Sequence, residues 1–454
     1  MAEALIAQGP DRHDEHAAVL AGHFELAGND LEAARWQLRA AIRLYRSDLA
    51  DARRRLDRAI DHLEDVPPGD DRLRLGIRAR QQILRMGSRR GMPVGEADEV
   101  SRRANQDARE LGDPTLVSAV VQGDLAVRLF RGDVGGAREA AEEALRWANR
   151  SGDRGIRAWV SCSQGVIHTY VGDFEAGFAR VEEGIKLCGG DLTVGTDLGG
   201  YSVEDYGSFI WAIQCVPAGR LVEAAGAAAA VRARFELRPV AEWIAWTLTV
   251  FAQLADATGE VERSAEAERA AAEALRIARE TGSVVMEVKA LSALGVVALL
   301  RGRSGEAEAA FVEGLTLARD LGVGLLEEPV ILAHRARARL ALGDAATARS
   351  LSDEAVLVAQ RQGAFVSECQ AHTVRARVWR ETSAGTEDLA RAQHAVTTGA
   401  ALAARVGAET WAAFLAEEQA RLDGDRGALA ACVDGYEAIG ATGHAARLRA
   451  ELAG

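Results

Sequence analysis

Lysine, proline and aromatic residues are scarce in this chain of 454 residues. Lysine occurs twice, at Lys186 and Lys289, although lysine and arginine together number 54. The eight prolines and the 5% of aromatic residues leave few helix breaks and few large core side chains, which favours closely packed, alanine-rich helices. We attribute the excess of arginine over lysine to codon usage rather than to function.

Other absences bear on the class of protein. The formal net charge of −13 argues against a general nucleic-acid binder, which needs basic surface to displace phosphate counterions. The five cysteines lie far apart and form no CxxC pair, so we expect reduced thiols and a cytoplasmic location. No signal peptide opens the sequence and no apolar run reaches the ~20 residues of a membrane helix, so we expect no membrane partner.

The motifs of common enzyme mechanisms are also missing. A phosphate-binding P-loop needs a lysine after a glycine, and neither lysine follows one. No GxSxG turn positions a nucleophile. The run His13-Asp14-Glu15-His16, with His23 nearby, lacks the four ligands of a structural zinc site, and acids and histidines at an exposed helix start explain it more simply. We therefore expect no catalytic residue, no cofactor and no metal site.

The sequence does contain a repeated helical hairpin. Residues 290–322, ALSALGVVALLRGRSGEAEAAFVEGLTLARDLG, predict two antiparallel helices joined at Gly302. In the second helix, Ala307, Gly314 and Ala318 lie on one stripe, and Gly322 ends the helix. Small side chains on this stripe allow a neighbouring helix to approach closely. Five other segments carry small residues at the same three offsets before a final glycine, and these glycines are Gly112, Gly152, Gly282, Gly363 and Gly407.

A second series of glycines marks the turn inside each pair of helices. Its members lie 39 to 47 residues apart, at Gly91, Gly132, Gly172, Gly219, Gly259, Gly302, Gly343, Gly385 and Gly424. One pair cannot enclose a core alone, so stacked neighbours are required. The sequence predicts an all-α, tetratricopeptide-like helical-hairpin solenoid with a period of about 40 residues, wound as an elongated right-handed superhelix.

The organisation along the chain follows from these marks. We expect a linker at residues 1–12, an N-terminal helical segment at 13–90, the repeat array at 91–443, and a capping helix and C-terminus at 444–454. A Gly-rich insertion at 188–201, CGGDLTVGTDLGGY, lengthens one unit, because its five glycines cannot continue a helix. In the following unit Pro239 replaces the final glycine.

The spacing of Leu294-Gly295, Gly302, Ala307 and Gly314 resembles the tetratricopeptide pattern, with a longer period and with glycine in place of the usual final proline. It is similar to the long-repeat variant at the C-terminal end of large bacterial signalling proteins. The segments HAAVLAGHFELAGNDLEAARWQLRAA, LDRAIDHLEDVPP and RLRLGIRARQQILRMGSRRGM are similar to the region after the ATPase module in class III nucleotidyl cyclase–ATPase–repeat proteins. Related LuxR-like activators carry comparable repeats. The resemblance implies a sensor or regulatory segment, and it transfers no catalytic residue to this chain.

Aromatic residues cluster directly after the insertion. Trp and Tyr combine apolar area with a polar tip, which suits a site for a small molecule or a peptide beside an irregular loop. The alternative is that these side chains fill a packing gap left by the insertion. The candidate binding residues are Tyr201, Tyr206, Trp211, Trp243 and Trp246.

One helix is unusually basic. Residues 72–90 contain seven arginines and no acid, and four of them share one helical face: Arg74, Arg78, Arg85 and Arg89. Like charges on one face call for an acidic partner. The simpler partner is a neighbouring helix of this chain, Asp98-Glu99 or Asp61-Glu64-Asp65, and the functional alternative is an upstream signalling domain docked by arginine forks.

Two functional interpretations remain open. The first is a non-catalytic sensor or regulatory segment, which binds a protein segment or small-molecule ligand in the superhelical groove and controls upstream domains of a cyclase- or ATPase-type signalling protein. The second is a free-standing scaffold that binds protein segments in that groove. Glu287, Glu327 and Glu368, at equivalent positions of consecutive first helices, provide either an acidic ladder for a cationic ligand or carboxylates favoured by helix dipoles.

Overall fold

The computed structural model describes residues 13–44, 48–237 and 240–454, and within these ranges the regular elements are helices, without a strand. The predicted linker at residues 1–12, the side chain of His13 and Pro239 lie outside the described residues. No helix in the described part of the chain has the length and apolar character needed to span a bilayer.

The helices are numbered in chain order, and two 3₁₀ turns, Val261–Arg263 and Leu325–Glu327, interrupt the connections. The helices are α1 His13–Leu26, α2 Asp30–Leu44, α3 Leu49–Asp65, α4 Asp70–Arg90, α5 Val94–Leu111, α6 Pro114–Phe130, α7 Val134–Ser151, α8 Arg154–Val171, α9 Phe174–Cys188, α10 Thr196–Gly199, α11 Val203–Cys215, α12 Leu221–Leu237, α13 Ala241–Thr258, α14 Ser264–Thr281, α15 Val284–Leu300, α16 Ser304–Leu321, α17 Glu328–Ala341, α18 Ala345–Gln362, α19 Phe365–Glu381, α20 Thr386–Val406, α21 Glu409–Asp423, α22 Arg426–Ile439 and α23 Thr442–Ala453.

The predicted hairpin pairs are confirmed. Adjacent helices pack as α4/α5, α6/α7, α8/α9, α11/α12, α13/α14, α15/α16, α17/α18, α19/α20 and α21/α22, each pair joined near one of the turn glycines. The insertion forms a loop with the single helical turn α10. The capping helix α23 begins at Thr442, two residues before its predicted start.

Small residues mark the points of closest approach between helices, as predicted. At Gly314 in α16, an added Cβ atom would lie 3.3 Å from the Cβ of Leu291 in α15. At Gly295 the Phe311 ring already occupies the space, because a Cβ would lie 2.4 Å from that ring. All alanines of the stripe are at most 2% exposed: Ala97, Ala104, Ala108, Ala137, Ala144, Ala148, Ala267, Ala274, Ala278, Ala307, Ala318, Ala348, Ala355, Ala359, Ala392 and Ala403.

The helix-ending glycines adopt the left-handed conformation that the sequence predicts. Their φ angles lie between 62° and 70° at Gly112, Gly152, Gly282, Gly322, Gly363 and Gly407. A side chain with a Cβ atom is strained in this conformation, which explains why glycine ends these second helices.

The superhelix closes on itself, so that successive superhelical turns touch. Gly91 lies against the backbone oxygen of Leu321, 230 residues later, and Gly132 lies against Gln362, again 230 residues later. Leu49 reaches Gly282 in the same way. One superhelical turn therefore takes about 230 residues, between five and six of the repeats predicted above.

We call this contact zone the interturn seam. It joins the five turn glycines Gly91, Gly132, Gly172, Gly219 and Gly259 to the ends of later helices near residues 321, 362, 406, 439 and 444. The later turn glycines, Gly302, Gly343, Gly385 and Gly424, have open space where a Cβ would lie.

Hydrogen bonds reinforce the interturn seam. The Asp173 amide donates to the Val406 carbonyl at 3.2 Å, and the Thr410 hydroxyl donates to the Val216 carbonyl at 2.6 Å. At the C-terminal end, His444 Nε2 donates to the Asp256 carbonyl at 3.0 Å.

Replacement of Gly259 by alanine tests the interturn seam against a matched control. Gly259 and Gly112 both have φ 70°, with ψ 14° and 18°, so alanine adds the same backbone strain of about 1–2 kcal/mol at either position. At Gly259 the new Cβ would also lie 2.8 Å from the His444 backbone nitrogen, whereas nothing lies within 4 Å at Gly112. We expect Gly259→Ala to lower the thermal midpoint more than Gly112→Ala and to speed amide hydrogen exchange in α23. Equal effects of both variants would contradict the seam contact.

Candidate functional site

A cavity of about 700 Å³ lies inside the superhelix. Most of its wall comes from the first helix of each pair, from α4 through α6, α8, α11, α13, α15, α17 and α19 to α21. The wall residues extend in sequence from Ile42 to Trp411, and α4 also packs against α15 across the two superhelical turns. The cavity therefore exists only while the two turns stay together.

Both groups of candidate residues meet at this cavity, although the sequence placed them in separate sites. The four arginines of α4 and four of the five aromatic residues line one wall: Arg74, Arg78, Arg85, Arg89, Tyr201, Tyr206, Trp243 and Trp246.

Trp211 is not part of the cavity wall. Its indole Nε1 donates to Glu223 Oε1 at 2.7 Å, and its ring contacts Phe178 at a centroid distance of 4.6 Å. The Arg220 guanidinium stacks over both rings. Trp211 therefore belongs to the packing between α9, α11 and α12.

The aromatic residues form one continuous cluster. The Trp243 ring lies 4.8 Å from the Tyr201 ring, 5.0 Å from the Tyr206 ring and 5.5 Å from the Phe209 ring, measured between centroids. These tilted arrangements suit the ring quadrupoles. Trp243 is 8% exposed, so it is part of the core and of the cavity wall at once.

The insertion positions Tyr201 in this cluster. Its hydroxyl accepts a hydrogen bond from Trp159 Nε1 at 3.0 Å. Gly200 has φ 76°, and a Cβ there would lie 3.5 Å from Arg85 Nη2, so the loop runs directly beside the arginine face. Burial raises the pKa of Tyr201 to about 12, against the opposing effects of the Trp159 hydrogen bond and the nearby Arg85 and Arg89 charges. The hydroxyl keeps its proton at neutral pH.

The acids that face the α4 arginines differ from those expected. Arg74 pairs with Asp113 at 3.2 Å, and Arg89 pairs with Glu242 at 2.5 Å. The expected acids lie elsewhere: Glu99 pairs with Arg102 and Arg103 on its own helix. Glu242 is 153 residues from Arg89 in sequence, which is why local spacing pointed to other carboxylates.

A buried ion pair that the sequence did not single out lies at another wall. Lys289 Nζ contacts Glu327 Oε1 at 2.5 Å, and both residues are buried. The ammonium group also lies 5.9 Å from the centre of the Trp246 ring, within the range of a cation–π contact. Burial, with the Glu327 charge nearby, raises the pKa of the wall residue Tyr170 above its usual range.

A second polar group joins α13, α17 and α19. The Arg337 guanidinium donates to both oxygens of Asp256 at 3.0 Å. Burial raises the pKa of Asp256, but the charges and hydrogen bond of Arg337 and the charge of His334 outweigh it and hold that pKa below its usual range. Arg337 also lies 3.0 Å from His334 Nδ1, and since arginine only donates, Nδ1 accepts and Nε2 carries the proton. That proton faces the Gln370 amide at 3.0 Å, so the amide oxygen is the group that accepts it.

Two buried polar groups at the cavity have no hydrogen-bond partner. They are the Trp243 indole Nε1 and the Gln122 side-chain oxygen. Gln122 is 6% exposed and, like Trp243, lines the cavity. Buried polar groups are nearly always paired, so these two orphans mark a place where a bound molecule can complete the pairing.

The expected acidic ladder does not form. Glu287 pairs with Arg279 at 2.7 Å, and Glu368 accepts from Gln360 at 2.8 Å, whereas Glu327 reaches the cavity already paired with Lys289. Among the described residues, no group of three or more His, Cys, Asp and Glu side chains is arranged to hold a metal ion.

Comparisons with known proteins place the chain among helical-repeat folds. No family model matches the chain, and no curated protein matches it. The apo form of the quorum sensor NprR from B. thuringiensis aligns at 11% identity and a TM-score of 0.48, covering 82% of this chain and 99% of that one. A Rap protein complexed with competence and sporulation factor aligns at 13% identity and a TM-score of 0.40, covering 87% of this chain and 100% of that one.

A third similar structure is a Pyrococcus horikoshii signal-transduction ATPase with a tetratricopeptide repeat sensor. It aligns at 14% identity and a TM-score of 0.32, covering 87% of this chain and 52% of that one. Values this low assign no ligand or partner to this chain. The class of protein rests on its own geometry, which is a tetratricopeptide-like solenoid with a cavity between two superhelical turns.

Titration of His334 predicts a loss of stability in mild acid. Burial lowers the pKa of His334 to about 4 from its usual 6.5, and Arg337 lowers it further while Asp256 opposes the shift. The unfolded chain therefore binds a proton that the folded chain refuses between these pH values, so stability is complete above pH 6.5 and falls as the pH drops toward 4. The loss between pH 7 and pH 5 is about 2 kcal/mol.

We expect His334→Gln to reduce the fall in the urea midpoint between pH 7 and pH 5. Buried His444, whose pKa is also lowered by burial, keeps part of the fall in place. The matched control is His394→Gln, on the exposed face of α20, which should leave the pH dependence unchanged. An unchanged slope in His334→Gln would contradict a neutral, buried imidazole.

Proposed function

We propose that this chain is a non-catalytic receptor segment that binds its ligand in the interior of the closed superhelix. The observation that carries the proposal is the cavity of about 700 Å³, whose wall is drawn from two superhelical turns and contains unpaired polar groups. A volume of this order is typical of small-molecule and cofactor pockets. Its mixture of apolar wall and few polar groups is likewise typical of such sites.

Binding at this place acts on the conformation of the whole array. A ligand that contacts α4 and α15 together favours the state in which the two turns touch, because it binds the open state less well. The stabilisation grows with ligand concentration as RT ln(1 + [L]/Kd). The cavity thus converts the presence of a ligand into closure of the superhelix, which is the operation required of a sensor.

The sensor role extends to a parent protein. We propose that closure is transmitted through α4 to a signalling domain upstream, of the cyclase or ATPase type that the sequence resemblance implies. The support is positional: α4 carries the arginines of the cavity wall, and it is packed against α3, in the part of the chain nearest the N-terminus.

The alternative of a free-standing scaffold for protein segments is less well supported by the geometry. The inner face of the first helices, where a tetratricopeptide-like array offers its groove, surrounds a cavity of small-molecule size. A long protein segment would require the interturn seam to open.

A neutral fluorescent dye tests whether the cavity binds ligands. Anilinonaphthalene is apolar and aromatic, and we expect it to bind the full chain at one saturable site. Ala126 lines the cavity on α6 and is partly exposed, so Ala126→Trp should fill the space and abolish the binding. Gln253→Trp, on α13, is a second filling variant for the case in which the first misfolds.

The matched control is Ala229→Trp on the exposed face of α12, outside the cavity wall. This variant should bind the dye as the wild type does. Circular dichroism should show equal helicity in all variants compared. Dye binding that persists in both filled variants, or no saturable binding to the wild type, would overturn the proposal.

A further inference from the structure

We propose that the ligand of the cavity is a small amphipathic anion, with a flat apolar body against the aromatic cluster and an acidic group held by the arginine face of α4. This inference rests on the proposed function and adds the chemical class of the ligand. It is carried by three observations: the charge balance of the wall, the unpaired donor of Trp243, and the loop that joins the two groups of residues.

The acidic groups of the wall are already neutralised. Each carboxylate that lines the cavity contacts a basic side chain within 3.2 Å, and the four pairs are Asp113–Arg74, Glu242–Arg89, Glu327–Lys289 and Asp256–Arg337. A cationic ligand would therefore have to displace an existing partner.

Arg78 has no such partner. It lines the cavity, is exposed to it, and has no carboxylate within ion-pair distance among the described residues. Arg85 adds a second positive charge on the same face, seven residues further along α4. The wall thus carries an excess of positive charge inside a protein whose net charge is −13, which favours an anion in this space over one on the outer surface.

The orphan polar groups agree with a ligand that accepts hydrogen bonds. The Trp243 indole Nε1 can only donate, and it has no acceptor although the residue is 8% exposed. The Arg78 guanidinium also only donates. The unpaired amide of Gln122 can turn either end toward a ligand, since its oxygen and nitrogen exchange places by rotation.

The insertion brings the acidic-group site and the apolar site together. Gly200 lies beside the Arg85 guanidinium, and the next residue, Tyr201, packs against Trp243. An anion seated on the arginine face therefore has aromatic rings next to it. The acidic group is a carboxylate, sulfonate or phosphate, because arginine binds all three oxyanions with the same fork of N–H donors.

A matched pair of dyes measures the preference for an anion directly. Anilinonaphthalene sulfonate and neutral anilinonaphthalene share their ring system and differ by the sulfonate. We expect the sulfonated dye to bind the full chain at least about tenfold more tightly, the effect of one charge-assisted hydrogen bond. Each dye should be displaced by the other, since both occupy the same cavity.

Arg78→Gln should remove most of this preference. We expect the affinity for the sulfonated dye to fall about tenfold and the affinity for the neutral dye to stay unchanged, whereas Arg78→Lys should retain part of the preference through its charge. The control Arg146→Gln removes an exposed arginine of α7 that lies outside the cavity wall and should change neither affinity. Trp246→Ala should weaken both dyes, because it removes the apolar wall.

The outcomes separate this inference from the proposed function. If both dyes bind equally and Arg78→Gln changes neither, the cavity is a site for neutral ligands, and the anion inference fails while the proposed function stands. If Arg78→Gln and Arg146→Gln lower the affinity for the sulfonated dye equally, the effect is one of overall charge, and the inference fails again. If neither dye binds, both proposals fail. Carboxylated and phosphorylated naphthalenes, titrated in the same way, then rank the three acidic groups.

Discussion

Close approach between helices at alanine and glycine positions is the constraint on which the rest of this structure depends. The stripe of small residues in each second helix fixes how near, and at what angle, the next pair packs. Because the pairs repeat this geometry, the rotation from one to the next accumulates steadily, and the chain returns over itself after about 230 residues. The contact at that point is again possible only because glycine occupies the turns, as at Gly91 and Gly259.

The local part of this architecture could be predicted from the sequence. The stripe, the hairpin turns and the left-handed helix ends each depend on a few neighbouring residues, so Ala307, Gly314 and Gly322 were identified from spacing alone. The interturn seam could not be predicted, because it depends on a small angle summed over five or more pairs. Gly91 and Gly302 look alike in sequence, yet Gly91 packs against Leu321 and Gly302 faces open space.

The candidate site was predicted residue by residue more successfully than as a whole. Trp243 and Trp246 share a helical face, and both reach the cavity. Trp211 lies five residues after Tyr206 in α11, which turns it by about 140° around the helix and away from the cavity. The unity of the arginine and aromatic groups was beyond reach, since α4 meets α13 only after the chain has passed through the intervening pairs, as the Arg89–Glu242 contact shows.

The polar character of the interior is difficult to explain by stability alone. Buried ion pairs such as Lys289–Glu327 contribute little net stability, since the cost of removing both charges from water largely cancels their attraction. Apolar side chains of similar volume would fill these positions at least as well. Their presence along one cavity, beside orphan donors and acceptors, is more economically explained by the recognition of a polar ligand than by the needs of the fold.

The same residues link the cavity to closure of the superhelix. The Asp256 side chain lies in the cavity wall and binds Arg337 of α17, while its backbone carbonyl accepts the hydrogen bond from His444 across the interturn seam. A ligand that moves α13 by a fraction of an ångström therefore acts on a seam contact in the same residue. Close-packed interfaces respond to such shifts by switching between arrangements rather than by deforming smoothly. Placement of the binding residues on helices that also form the seam gives the proposed receptor a direct physical route from occupancy to conformation.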